Sequence, residues 1–327
     1  MSNHRFTIWC NSDFDATHSA ELEQLRQGVV NHELLLYEAS LDGQHGEANE
    51  ALHRADIVFG FPDVRTAVEC QKLRWIQLIT AGYTSFDHAW IKKALKERQV
   101  MLTNSSAVYA EPCAQHVMAM ILALARGLPD ALSDQRGQRS WPMSRLRPQL
   151  QLLNEQTVVI LGFGAIAKRL AQLLRPFEVN LIMVRREIKG DELLKVVKVS
   201  QLEEFLPLAD HVVNTLPAND ASRNFLNAER LALMKRGAII YNIGRGTTLD
   251  QNALMKELRV GRLSAAYLDV TEPEPLPPDH PLWETPNCFI TPHIGGGHRR
   301  EKERQVKHFL ENLRRFERGE ELQNRIF

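Results

Sequence analysis

Residues 158–186 read VVILGFGAIAKRLAQLLRPFEVNLIMVRR. An apolar, β-branched run at 158–161 leads into Gly162, Gly164 and Ala167 and then into a stretch of helical periodicity, which is the order strand, tight turn, helix. Gly162 takes the backbone angles of the turn, Gly164 lets the main chain approach a pyrophosphate, and small Ala167 lets helix and strand pack closely, with the helix amides aimed at phosphate. A lone glycine fingerprint also occurs in turns that bind nothing, so the flanking strand and helix carry the reading. A second strand, 179–184, ends in Arg185 and Arg186, where an NAD site usually places the Asp or Glu that takes the ribose 2′-hydroxyl. Two guanidiniums there suit a 2′-phosphate. The expected cofactor is NADP(H), with NAD(H) as the second choice; the alternative for either arginine is a solvated surface charge.

On both sides of this stretch, short apolar runs alternate with helical segments. One series comprises 6–10, 34–37, 57–60, 75–79 and 100–103; the other begins at 157 and continues through 179–184, 196–199, 211–215, 238–242, 264–269 and 288–291. Alternating β and α units predict an α/β fold of two doubly wound parallel sheets. Residues 299–320 read as a charged helix with Val306, Phe309, Leu310, Leu313 and Phe316 on one stripe, which packs back onto the N-terminal sheet. A Rossmann nucleotide-binding domain, 104–296, is therefore expected as an insertion in a flavodoxin-like substrate domain, 1–103 with 297–327. Between the two series, Pro112 reads as a first helical position before a helix apolar on nearly every face, either a core helix or one packed between domains or against a second subunit. Residues 127–156, rich in Arg, Gln and Pro, are expected as loops.

Forty basic residues balance forty acidic ones, which excludes a broad basic field for nucleic acid or a membrane surface. Cys10, Cys70, Cys113 and Cys288 form no CxxC pair, so neither a disulfide framework nor a metal is implied. The N-terminus is too polar for a secretory signal, and the apolar run 117–125 falls far short of the ~20 residues that span a bilayer. A cytoplasmic protein without membrane attachment is expected.

Three later segments place polar residues just after apolar strands: YNIGRGTTLD at 241–250, YLDVTEPEPLP at 267–277 and FITPHIGGG at 289–297. Strand carboxyl ends line the ligand crevice of an open α/β sheet, so Arg245, Asp269, Glu274 and His293 can converge. Together they suit reduction of a 2-oxo acid. Arg245 clamps the carboxylate and polarises the ketone, and His293 delivers the proton from a group whose ordinary pKa, about 6.5, lies near working pH. Glu274, bonded to the other imidazole nitrogen, orients the ring. Each has a plainer reading: His293 packed or capping, Arg245 on phosphate, Glu272 and Glu274 solvated in a proline-rich loop, Asp269 capping that loop.

With these segments in view, the chain resembles the D-isomer-specific 2-hydroxyacid dehydrogenases and, within them, the NADPH-linked glyoxylate and hydroxypyruvate reductases. GFGAIA, NIGRG, LDVTEPEPLPPDHPLW and TPHIGGG stand in the family's order and approximate spacing. The resemblance implies Arg245, Glu274 and His293 as the catalytic set, with Glu274 rather than Glu272 in register. It implies cofactor contacts from Gly162, Phe163, Gly164, Ala165, Ile166, Thr215, Leu216, Pro217, Ile243, Gly244 and Gly295, and from Asp269 to the nicotinamide amide. Ala81, Gly82 and Tyr83 would offer N–H groups to the substrate carboxylate, although an ordinary turn fits them equally. Trp141 is a candidate to reach the active site or a partner's, and a homodimer is implied. Ala107, Ala114-Gln115-His116 and Glu178 depart from the family pattern, in details of helix packing and hinge. The competing readings are an NAD-linked phosphoglycerate or D-lactate dehydrogenase and a non-catalytic NAD(P)H-sensing scaffold.

Overall fold

The computed structural model describes residues 5–14, 16–37, 50–188, 190 and 194–327; residues 1–4 of the N-terminal stretch considered above lie outside this set. By its contacts the chain divides into two units, Met1–Tyr109 with His298–Phe327, and Ala110–Gly297.

The first unit holds a sheet of β1 (Thr7–Cys10), β2 (Glu33–Leu36), β3 (Ile57–Gly60), β4 (Trp75–Leu78) and β5 (Met101–Thr103) in the order β2-β1-β3-β4-β5, all parallel. This is the flavodoxin-like order. The helix Glu301–Arg318 closes one face, because its stripe of Val306, Phe309, Leu310, Leu313 and Phe316 is buried. Phe309 stacks on Phe59 with ring centroids 4.3 Å apart, and both Phe309 and Phe316 stack on Trp75.

The second unit holds β6 (Thr157–Leu161), β7 (Asn180–Arg185), β8 (Val196–Lys198), β9 (His211–Asn214), β10 (Ile239–Asn242), β11 (Ala265–Leu268) and β12 (Cys288–Ile290), again all parallel, in the order β12-β11-β10-β9-β6-β7-β8. Every run of the two alternating series overlaps a strand. Strand order reverses between β6 and β9, which makes their carboxyl ends the switch point where doubly wound folds bind ligands. β9 is buried throughout, and β6 is buried at every position after Thr157.

Two segments differ from expectation. The apolar helix runs from Ser106 to Ala125, with Pro112 inside it rather than at its start. Asn104 explains the earlier start: its side-chain oxygen accepts from the Ser106 N–H at 3.2 Å and from the Ser106 hydroxyl at 2.7 Å, satisfying a donor of the first turn. At 20 residues this helix is long and apolar enough, by length and composition, to cross a bilayer, unlike the nine-residue run weighed from the sequence. Polar groups nevertheless tie it to the α/β unit: Arg169 pairs with Glu111 and His116 bonds Tyr267. Within 127–156, Leu128–Arg136 and Met143–Leu146 are helices, not loops; Pro129 and Asp130 sit in the first turn of the former, where a missing N–H is harmless and a negative charge is favoured.

Candidate active site

The turn after β6 shows why glycine stands at 162. Its φ is +109°, and an added Cβ would come within 2.6 Å of the Thr215 hydroxyl, which itself donates to the Leu161 carbonyl at 2.8 Å. The loops after β6 and β9 are thus in direct contact. Ala165 and Ile166 open the helix Ala165–Leu174, whose N-cap, Gly164, supplies no side-chain hydrogen bond and has open space around it. Uncapped N–H groups beside open space suit a phosphate. A cavity of about 530 Å³ adjoins the turn and is lined by Gly162, Phe163, Arg185, Arg186, Leu216, Pro217 and also Glu187. Glu187 was missed in the sequence, although it lies only two residues past Arg185 and is the type of residue that accepts from a ribose hydroxyl. These groups fit a dinucleotide.

Further along the same edge, Arg245 follows β10. The glycines beside it are demanded by close approach: a Cβ on Gly244 would lie 2.5 Å from the Leu216 carbonyl oxygen, and one on Gly246 only 1.8 Å from that of Thr271. The Arg245 carbonyl is fixed by Asn242 Nδ2 at 3.0 Å and by the Thr248 hydroxyl at 2.6 Å, while its guanidinium donates to the Gly244 carbonyl at 2.6 Å. Burial pulls the Arg245 pKa below its ordinary value, and the nearby Glu274 charge partly offsets this. Among the described residues no carboxylate forms an ion pair with Arg245. A half-buried guanidinium in this state is ready to receive an anionic ligand.

His293 and Glu274 are brought together. Nδ1 of the imidazole donates to Glu274 Oε1 at 2.7 Å. The His293 backbone is left-handed, with φ +52°, and its N–H donates to the carbonyls of Asp269 and Thr291 at 2.9 and 3.0 Å. A non-glycine residue held in that region is over-determined by its surroundings. Asp269 supplies much of that hold. Almost wholly buried, its carboxylate accepts from the Thr291 hydroxyl at 2.6 Å, the Ile294 N–H at 3.0 Å and the Gly295 N–H at 2.9 Å.

Behind Asp269 lies a network that the sequence did not reveal. The Tyr267 hydroxyl, whose pKa burial raises, bonds both His116 Nε2 and the Thr291 hydroxyl, and His116 Nε2 also reaches that hydroxyl at 3.3 Å. The one visible hint was a histidine inside an apolar helix. Ile243 is buried at the end of β10. Ala81, Gly82 and Tyr83 follow β4 in the first unit, half-buried, with the Ala81 carbonyl accepting from Asn104 Nδ2 at 2.7 Å. Trp141 is largely exposed.

A glycine turn at a switch point, with an imidazole–carboxylate pair and a half-buried arginine at neighbouring strand ends, defines a nicotinamide-linked oxidoreductase. Residues 118–295 match the family model described as D-isomer specific 2-hydroxyacid dehydrogenase, NAD binding domain. A glyoxylate reductase of Aeropyrum pernix is 33% identical over 259 residues, 77% of this chain and 75% of that one. A glyoxylate/hydroxypyruvate reductase B of Serratia proteamaculans is 30% identical over 279 residues, 84% of this chain and 83% of that one. Among solved structures, a D-isomer specific 2-hydroxyacid dehydrogenase from Xanthobacter autotrophicus Py2, in complex with NADPH and MES, superposes with a TM-score of 0.80 at 25% identity, covering 99% of this chain and 98% of that one. The chain belongs to the D-isomer specific 2-hydroxyacid dehydrogenase family. Its activity class is that of a 2-hydroxyacid dehydrogenase with a nicotinamide cofactor and a small 2-oxo or 2-hydroxy acid substrate.

Proposed function

We propose that the protein is an NADP(H)-linked reductase of small 2-oxo acids, with glyoxylate and hydroxypyruvate as substrates and glycolate and D-glycerate as products. The observation that carries this reading is the His293–Glu274 hydrogen bond of 2.7 Å beside an Arg245 without an ion-pair partner among the described residues. The nicotinamide, when bound, supplies the reducing equivalent at the carbonyl carbon. Arg245 holds the substrate carboxylate and stabilises negative charge growing on the ketone oxygen. His293, its Nδ1 committed to Glu274, delivers a proton to that oxygen from Nε2. Glu274 fixes the tautomer and the plane of the ring and stabilises the imidazolium. In the direction of oxidation, neutral His293 takes the hydroxyl proton.

Gly162, Gly164, Ala165 and Ile166 would hold the pyrophosphate, and Arg185 with Arg186 the 2′-phosphate. The loops carrying Thr215–Pro217, Ile243–Gly244, Asp269 and Gly295 would line the nicotinamide half. The first unit, 1–103 with 297–327 in the sequence reading, is assigned to the substrate, with Ala81, Gly82 and Tyr83 as carboxylate donors on the strength of the resemblance. Similarity to the two reductases supports the substrate class, and the NADPH complex of the Xanthobacter relative supports the cofactor. Glu187 in the cavity favours residual use of NAD(H). A homodimer is proposed from the apolar side chains exposed between 128 and 152, namely Leu128, Leu132, Trp141, Met143 and Leu152; a monomer by light scattering at micromolar concentration would contradict it.

The test is a comparison of kcat/KM for glyoxylate, hydroxypyruvate, pyruvate and phosphohydroxypyruvate with NADPH and with NADH. The highest values are expected for the first two with NADPH. Higher values for pyruvate or for the phosphorylated acid with NADH would replace this reading with a lactate or phosphoglycerate enzyme.

A further inference from the structure

The ring of Phe163, the residue between the two glycines of the turn, carries two cations. The Arg185 guanidinium carbon lies 4.8 Å from its centroid, and the Lys168 ammonium lies 4.8 Å from the same centroid. They come from different elements, Arg185 from the end of β7 and Lys168 from the first turn of the helix Ala165–Leu174. Like charges repel, so two of them converging on one ring call for a cause. The negative face of an aromatic ring attracts each of them; Phe163, Arg185 and Arg186 line the cavity, and Lys168, which does not line it, adjoins it through the Phe163 ring. Among the described residues neither Lys168 nor Arg186 forms an ion pair.

We propose that Lys168 is a further determinant of cofactor choice, completing a three-cation site for the ribose 2′-phosphate, and that Phe163 is the positioning residue that aligns Lys168 with Arg185. This rests on the NADP(H) reading above and deepens it. The charge balance at the cavity mouth supports it. Glu187 sets one negative charge beside Arg185 and Arg186. Those two cations and that carboxylate leave a net charge of about one positive, less than a phosphate dianion carries. Lys168 brings the net charge to about two positive, matching a phosphate monoester at neutral pH. Its flexible stem suits a point-charge contact to phosphate, while Arg185 supplies the planar fork. The sequence carried the signal in a disguised form, because Lys168 follows the glycine fingerprint on a helix face where a solvated lysine is ordinary.

Calorimetric binding of adenosine 2′,5′-bisphosphate and adenosine 5′-monophosphate tests this without turnover, since the two ligands differ only by the phosphate in question. The unaltered protein is expected to prefer the bisphosphate. Lys168→Met is expected to weaken the bisphosphate about tenfold while leaving the monophosphate within about twofold, and Lys168→Arg to restore most of the difference. Phe163→Leu is expected to lose part of the preference, and Phe163→Tyr to keep it. Equal losses for both ligands in Lys168→Met would move the lysine to the 5′-phosphate and overturn the proposal, as would no loss for either. A Phe163→Leu protein with full preference would overturn the positioning role. If the unaltered protein shows no preference, the NADP(H) reading falls with the proposal. If Arg185→Ala abolishes the preference while Lys168→Met preserves it, only the further inference falls. Monophosphate binding confirms in every variant that the turn is folded.

Discussion

On the β11–β12 side of the seven-stranded sheet buried polar groups are tied to one another, whereas on the β6–β7 side the cations Arg186 and Lys168 are exposed. The Asp269 carboxylate accepts three hydrogen bonds, Thr291 links it to Tyr267 and His116, and the His293 N–H is held by two carbonyls. At the other side, Arg186 and Lys168 are exposed side chains, and Arg185 rests on an aromatic ring. The contrast follows from what each side must do. Proton transfer fails when the imidazole moves by a fraction of its hydrogen-bond length, so its support must be rigid. Recognition of a phosphate charge tolerates movement, and exposed cations suffice. Substitutions on the first side should therefore lower stability and turnover together, while those on the second should change cofactor preference alone.

The largest effect is expected at the imidazole. His293→Ala should lower kcat about a thousandfold while leaving the Kd for NADPH, read by fluorescence titration, nearly unaltered. Near-normal turnover would remove His293 from proton transfer and leave the rigid side without a purpose. Next comes Asp269→Ala, which strands the Thr291 hydroxyl and the N–H groups of Ile294 and Gly295; a loss of about 3 kcal/mol in urea unfolding is expected. Unchanged stability would show that the network is not the source of rigidity.

His211 at the amino end of β9, the strand end opposite the crevice, serves as a control in the same sheet. Burial holds its pKa down at about 4 against the ordinary 6.5, with Asp210 opposing. The unfolded chain takes up a proton as pH falls through 6.5, and the folded chain does so only near 4. Stability is therefore fully present above this window and is lost as pH falls through it, by about 2 kcal/mol near pH 4.5. His211→Gln should flatten that part of the pH–stability curve without moving cofactor preference. The smallest effect belongs to the open side: Arg185→Asp should weaken NADPH about tenfold and NADH much less, because Arg186 and Lys168 remain. Equal losses for both cofactors would erase the distinction between the two sides.

The sequence made the open side and the strand ends legible and left the rigid network hidden. Short continuous apolar runs and the Gly162 turn are local patterns, so both sheets could be drawn from them, down to β7 ending at Arg185. The charged tail was equally readable, because the stripe from Val306 to Phe316 has helical spacing and is buried as expected. Tyr267, Thr291 and His116 come from β11, the loop after β12 and a helix, and only their tertiary meeting gives them a role. Pro112 misled because proline commonly opens helices, while the Asn104 cap, which decides the start, acts from two residues before Ser106. Glu187 carries no local signal, because an acid just past an arginine pair reads as ordinary solvated charge until the cavity places it.

The most direct test of the central claim is chiral analysis of the product formed from hydroxypyruvate and NADPH. Membership of the D-isomer specific family predicts D-glycerate as the sole enantiomer, and the roles given to Arg245, Glu274 and His293 predict that it forms in step with NADPH consumption and is lost in the His293→Ala protein. L-glycerate, or no glycerate from a protein that binds adenosine 2′,5′-bisphosphate normally, would contradict it.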